Sequence, residues 1–113
     1  MKTEQILQLD CRKEENQEII QKVLRQVKPL SKCSENAIPI EMIERTIKVI
    51  CSKYGFFIRQ LYPDCSAGDK YIVWRSEIFL SSNLSNVGNA YGCTVYECLA
   101  KSAILLYAKT RKM

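Results

Sequence analysis

The sequence contains no histidine, and this absence restricts the chemistry open to the chain. Histidine is the usual general base and the usual partner of a catalytic nucleophile. It is also the common nitrogen ligand of zinc, so a zinc site here would need four cysteines. Six cysteines are present, but their spacing is wide and irregular and includes no Cys-x-x-Cys pair. We therefore expect no metal, no cofactor and no catalytic activity.

Glycine is scarce too, with only 4 residues in the chain. Gly68, Gly88 and Gly92 stand alone, in a turn or at strand ends, so no glycine-rich loop is available to hold a phosphate. Asp64 and Asp69 flank a loop, but two carboxylates without further oxygen ligands are not a calcium-binding motif.

Long apolar runs are missing, so nothing in the sequence is expected to span a membrane. The first ten residues are too polar for a secretion signal, which predicts a cytoplasmic protein with reduced thiols. All six cysteines are then expected to be free. Cys65, in a polar turn, is the one expected to be exposed. No base or cation near it in sequence would activate it as a nucleophile, so a loop residue is the alternative that we favour.

What the chain does have is the composition of a globular domain, with 113 residues of which 47% are hydrophobic and 26% charged. This length predicts a single domain over residues 1–113. Within it we expect an N-terminal arm and helix over 1–30 and a core of helix, strands and helix over 38–110.

Three segments have helical patterns. Apolar residues at three- and four-residue spacing predict a helix over 14–28 that Pro29 ends, and a second over 39–54 that Gly55 ends. Thr94 followed by Glu97 is a capping box that begins the last helix, over 94–109. This helix is apolar over more than half of its circumference, so it must be covered on more than one side.

Three segments have strand patterns, at 56–62, 71–80 and 87–91. In the best of them Trp74 and Ile78 lie on one face, while Arg75 and Glu77 lie on the other, as in a sheet with one wet face. The predicted fold is a two-layer α+β domain in which a three-stranded antiparallel sheet packs against the helices at 39–54 and 94–109. The first amphipathic helix is an extra element that either packs on this layer or reaches for a partner.

The predicted core consists of apolar residues from these helices and strands: Ile43, Ile47, Ile50, Ile72, Trp74, Ile78, Leu99, Ala103 and Leu106.

Exposed aromatic and basic residues are the candidates for a binding site. Aromatics interleaved with arginines on a sheet face can stack bases, and a basic helix end can contact phosphates. The alternatives are cross-strand pairs and cations that complement the helix dipole. The candidate nucleic-acid-binding residues are Arg59, Tyr71, Arg75, Lys101, Lys109, Arg111 and Lys112.

The segment from Tyr71 to Lys109 resembles uncharacterised αββα-type proteins of phages and mobile genetic elements, which end in a glycine-rich strand and a threonine-capped helix. It is also similar to HicB-type antitoxins in the passage Gly92-Cys93-Thr94, although it lacks their proline-rich strand. Double-stranded RNA-binding domains share the order of elements. Of their basic run at the last helix, this chain keeps only Ala100-Lys101, which weakens the RNA interpretation.

These observations predict a small non-catalytic binding or adaptor domain that acts through protein contacts, and the resemblance implies that a mobile genetic element encodes it. The partner is another protein or a second copy, and a homodimer would hide the surplus apolar surface of the last helix. The alternative function is nucleic-acid binding through the residues named above, by a basic helix end and the aromatic residues of a sheet face.

Overall fold

A computed structural model describes residues 2–64 and 73–111 of the chain. It is an α+β protein with a three-stranded antiparallel sheet, as the sequence predicts. The helices and strands follow in this order: α1 (Thr3–Leu7), α2 (Glu14–Leu24), α3 (Ile40–Tyr54), β1 (Phe56–Asp64), β2 (Val73–Leu80), β3 (Asn86–Gly92) and α4 (Val95–Thr110).

Helix boundaries follow the local chemistry in α3 and α4. Pro39 precedes the first residue of α3, and Gly55 ends the helix in the left-handed conformation at φ 76°, which a residue without a Cβ adopts at little cost. The hydroxyl of Thr94 accepts a hydrogen bond from the backbone N–H of Glu97 and caps α4.

The first long helix is shorter than the sequence pattern predicts. α2 ends at Leu24, and the chain then tightens through turns into a short 3-10 helix at Lys28–Leu30 that contains Pro29. These turns bring Val27 and Leu30 into the core, each with 1% of its surface exposed. In a continuous helix, Val27 and Leu30 would extend along the axis of α2. The turns place them in the core instead, so tertiary packing decides where α2 ends.

The sheet has the order β1-β2-β3, with both pairs antiparallel. Its register is interrupted once in each pair, between Arg59 and Tyr62 on β1 and at Val87 on β3. Such bulges add twist and bend the strand that carries the extra residue.

α4 lies at the centre of the molecule. It contacts β2 and β3 on one side, and α1, α2 and α3 elsewhere on its circumference. Each residue from Ala100 to Leu106 is buried, and Ser102 hydrogen-bonds Ser76 of β2 at 2.6 Å. The prediction that α4 is covered on more than one side is therefore confirmed. α2 contacts α4 within the same chain and covers part of the apolar surface on which the homodimer prediction rests.

The core contains all of the predicted residues of α3 together with Ile78, Ala103 and Leu106, whereas Trp74 and Leu99 are only partly buried. Ile72 lies outside the described residues. No helix in the described part of the chain has both the length and the apolarity that crossing a membrane requires.

Candidate functional site

A cleft of about 700 Å³ opens between α2 and the start of α4. Its long wall is one side of α2 together with Arg25, which follows the helix. Its other walls are formed by Cys11, Arg12, Asn36, Ala37, Cys93, Thr94, Tyr96 and Glu97. A volume of this size falls in the range of ligand-binding clefts. Ile20, Ala37 and the Tyr96 ring contribute to an apolar lining that polar groups surround.

The far wall of the cleft is fixed by hydrogen bonds around Tyr96. Its hydroxyl donates to the carbonyl oxygen of Ile38 at 2.5 Å and accepts from the side-chain amide of Gln21 at 2.8 Å. The other end of the same amide accepts from the backbone N–H of Ile38 at 2.9 Å. Burial raises the pKa of the Tyr96 hydroxyl, so it remains a donor at neutral pH.

The side chains of Gln17 on α2 and of Arg25, which follows its last residue, tie the remaining walls to this helix. The guanidinium of Arg25 donates to the carbonyl oxygens of Glu35 and Asn36, and the amide of Gln17 donates to the carbonyl oxygen of Cys11 at 2.7 Å. Segments distant in the sequence are therefore bonded directly to α2, and the cleft is already formed in the free protein.

Glu97 lies at the inner end of the cleft and is buried. One carboxylate oxygen accepts from the backbone N–H of Cys93 at 3.0 Å, and the other accepts from the ammonium of Lys101 at 2.9 Å. The capping box is thus formed on its Thr94 side, whereas Glu97 reaches the N–H one residue earlier than the motif predicts. Lys101 also donates to the carbonyl oxygen of Leu9 at 2.6 Å.

The thiol of Cys11 lies beside this ion pair. Burial, and then the negative charge of Glu97, raise the pKa of Cys11 to about 11. The thiol is protonated at neutral pH and is therefore a weak nucleophile. The inner end of the cleft therefore holds a protonated thiol beside a carboxylate that is hydrogen-bonded to an ammonium group.

Charged side chains divide the cleft along its length. Glu14 and Glu18 lie at one end of α2, and Lys22 and Arg25 lie toward the other. Arg12, at the acidic end, is already paired with Asp10 at 2.8 Å. The hydrogen bonds from Arg12 hold the pKa of Asp10 at about 2, so the pair persists at neutral pH. The cleft is therefore acidic at one end and basic at the other.

A second polar surface lies on the other side of the sheet, away from α4. Because side chains alternate along a strand, Ser76 and Ile78 face α4 and their neighbours face away. We call this surface the open sheet face, and its described residues are Phe57, Arg59, Arg75, Glu77, Phe79, Asn89 and Tyr91.

Its side chains meet in cross-strand pairs. The rings of Phe57 and Phe79 stack with centroids 5.2 Å apart, and the Arg75 guanidinium lies 5.6 Å from the centre of the Tyr91 ring. Glu77 forms an ion pair with the neighbouring arginine of β1 at 3.5 Å and another with Arg75, also at 3.5 Å.

Among the candidate nucleic-acid-binding residues that the structure describes, two from different strands come together. Arg59 and Arg75 share the open sheet face. Lys101 is buried against Glu97, with 4% of its side chain exposed, so its charge is not presented to a ligand. Lys109 and Arg111 lie at the end of α4, on the opposite side of the sheet. Tyr71 and Lys112 lie outside the described residues.

Sequence reasoning did not find the cleft. Its residues come from segments far apart in the chain, and each segment alone has the composition of an ordinary surface. The one signal available is the pair of amides at Gln17 and Gln21, four residues apart and beside the apolar stripe of α2. Uncharged amides at that spacing suit a helix side that contacts other backbone rather than water.

The five cysteines in the described part of the chain are free thiols, and Cys98 is fully buried. Burial raises the pKa of Cys51 and of Cys98. Cys65 lies outside the described residues. Across 2–64 and 73–111, no three cysteines or carboxylates come close enough to hold a metal ion.

Comparison of the chain with protein-family models, with curated proteins and with solved structures finds no match in any of the three.

Proposed function

We propose that the protein is a small non-catalytic binding domain that acts through protein contacts, and that its cleft holds a short segment of the partner. The observation that supports the proposal is the preformed cleft of about 700 Å³, whose walls are joined by hydrogen bonds. Because the walls are held in place before a ligand binds, little conformational entropy is lost when it binds. A short ligand can therefore bind with higher affinity than it would to a flexible site.

Shape and charge indicate what kind of segment would fit. Glu14 begins α2 and Arg25 caps its C-terminal end, eleven residues later, a distance of about 16 Å at the helical rise. An extended chain of about five residues spans that length. The ends of the cleft favour a basic residue beside Glu14 and Glu18 and an acidic residue beside Lys22 and Arg25, with an apolar residue between them.

A non-catalytic role is supported by the groups at the inner end of the cleft. Glu97 and Lys101 bind each other, and the raised pKa of Cys11 keeps its thiol protonated. Each of these groups would need to be deprotonated or released to attack a substrate.

The test is a selection of displayed peptides on the wild-type protein, followed by binding measurements on two variants. Ala37 and Ser34 are both exposed in the same loop, but only Ala37 lines the cleft. Ala37→Trp should fill the cleft and abolish binding of the selected peptides, whereas Ser34→Trp should leave it unchanged. Peptides that bind both variants equally well, or a selection with no enrichment, would contradict the proposal.

A further inference from the structure

We infer that residues 3–12, which we call the strap, clamp the segment bound in the cleft, so that docking of the strap on α4 and binding of the segment stabilise each other. This inference rests on the proposed function of the cleft. It adds regulation to that site, since the cleft is complete only while the strap is docked.

The strap supplies one wall of the cleft at its C-terminal end and lies outside the cleft along most of its length. Cys11 and Arg12 line the cleft, whereas none of residues 3–9 does. The wall around Tyr96 is held separately, because its hydroxyl is hydrogen-bonded to α2 and to the backbone of Ile38. Release of the strap would therefore remove the first wall and leave the second in place.

The helix of the strap depends on its contacts with α4. This helix, α1, has only five residues, whereas an isolated helix in water needs about 12–15. Its anchor is Ile6, which is 4% exposed and is the one buried residue among residues 2–12. Leu7 and Leu9 are only partly buried against the core. We therefore expect α1 to form when the strap docks and to unfold when the strap is released, which makes docking a two-state event.

Three consecutive carbonyl oxygens of the strap accept hydrogen bonds from side chains of α2 and α4, the helices that line the cleft. The bonds run from Lys101 to Leu9 at 2.6 Å, from Asn16 to Asp10 at 2.8 Å and from Gln17 to Cys11 at 2.7 Å. Glu97 lines the cleft and accepts from the same Lys101 ammonium. The inner end of the cleft and the strap therefore share one hydrogen-bonded cation.

These contacts link the strap to the ligand. A segment that fills the cleft contacts the wall at Cys11 and Arg12 only while the strap is docked, so it binds the docked state more tightly. By linkage, the segment then raises the docking equilibrium constant by the same factor. The apparent dissociation constant equals that of the docked state divided by the docked fraction. A change that releases the strap should therefore weaken binding without touching the rest of the cleft.

The first measurement is hydrogen exchange by mass spectrometry on the full chain, with and without a saturating concentration of a peptide selected on the wild-type protein. The backbone amides of Ile6, Gln8 and Leu9 bond to carbonyl oxygens of residues 2–6, so they report on the folded strap. The peptide should slow their exchange, although they lie outside the cleft. Amides of residues 51–54, at the end of α3 and also outside the cleft, should exchange at an unchanged rate.

A matched pair of variants separates release of the strap from a general loss of stability. Ile6→Ala removes the anchor of the strap, and Ile50→Ala removes the same atoms from a position on α3 that is 5% exposed and does not line the cleft. Ile6→Ala should speed exchange of the strap amides in the free protein and weaken peptide binding at least about threefold. Ile50→Ala should leave the peptide affinity unchanged. Ile6→Val, a smaller truncation, should shift both measurements in the same direction as Ile6→Ala but by less.

Strap exchange that does not respond to the peptide would overturn the inference, and so would unchanged strap exchange in free Ile6→Ala. Equal losses of affinity in Ile6→Ala and Ile50→Ala would also overturn it, because they would indicate a general loss of stability. A change in affinity below about twofold, despite faster strap exchange, would show that the cleft does not need the strap.

The clamp and the proposed function can fail separately. Peptides that Ala37→Trp excludes, but that bind Ile6→Ala as tightly as the wild type, would support the proposed function and reject the clamp. A selection with no enriched peptide would reject both.

Discussion

Two glutamates in this protein are each paired with basic side chains. The two pairings differ in how far the basic side chains are exposed to solvent. Glu97 is paired with Lys101, and their side chains are 6% and 4% exposed. Glu77 is about as buried as Glu97, but one of its arginines has 65% of its side chain exposed.

The difference separates a structural ion pair from one that can take part in binding. The Lys101 ammonium donates to the Glu97 carboxylate and to the carbonyl oxygen of Leu9 in the interior. Of the two arginines that contact Glu77, Arg59 has 65% of its side chain exposed and Arg75 has 29%. Burial of the cation, rather than of the carboxylate, decides which of these roles a pair has.

The largest effect is expected from breaking the buried pair. Lys101→Met leaves the carboxylate of Glu97 buried without its cation and the carbonyl oxygen of Leu9 without its donor. We expect the free energy of unfolding, measured in urea, to fall by about 3–5 kcal/mol.

The control is the double variant Glu97→Gln with Lys101→Met, which removes both charges together. It should be more stable than Lys101→Met alone, because no uncompensated charge remains buried. A single variant that loses less than about 1 kcal/mol would show that water reaches this pair and that it resembles the exposed one.

A second variant tests how tightly the region of the buried pair is packed. A Cβ at Gly92 would lie 2.6 Å from the backbone nitrogen of Cys98 and 2.9 Å from the side chain of Glu97. Because backbone cannot move aside cheaply, Gly92→Ala should cost about 1–3 kcal/mol in thermal or urea unfolding. A loss below about 0.5 kcal/mol would contradict this account.

On the open sheet face the same kind of substitution should matter little. Glu77→Gln removes the carboxylate that Arg59 and Arg75 share, but the Arg59 guanidinium stays hydrated. We expect a loss below about 1 kcal/mol in the free energy of unfolding. A loss as large as that of Lys101→Met would erase the distinction between the two pairs.

The last prediction concerns the reactivity of Cys11, whose pKa reports on the negative charge of Glu97. Its pKa of about 11, against 9.0 for an ordinary thiol, predicts a thiolate fraction about a hundredfold smaller at pH 8. Alkylation of Cys11, followed by peptide mass spectrometry over a pH series, should therefore rise with a midpoint near 11. Glu97→Gln removes a negative neighbour and should move that midpoint down, and an unchanged midpoint would leave burial as the sole cause.

Much of the fold could be predicted from the sequence because its elements are specified locally. Thr94 and Gly55 begin and end helices through contacts or conformations of their own, and the alternation from Trp74 to Glu77 assigns the two faces of β2. The end of α2 could not be predicted, since it depends on where Val27 and Leu30 find the core.

The candidate site was harder to predict because its parts meet only in the folded chain. Glu97 and Lys101 are four residues apart on one helix side, a spacing that more often marks an exposed pair. Nothing in the sequence shows that Leu9 and Cys11 will cover them. Arg59 and Arg75 could be placed on one face because strand alternation is local, but Phe57 and Tyr91 join them only through the register of the sheet.

The central position of α4 has a consequence for how the protein is made. The hydrogen bond from Lys101 to Leu9 joins residues 92 positions apart, and α1 and α2 both pack on α4. On a ribosome the first helices emerge long before the helix that covers them, and their apolar sides stay exposed to other nascent chains in the meantime. Contacts of such long range also slow folding. Newly synthesised chains should therefore depend on chaperones until translation passes α4.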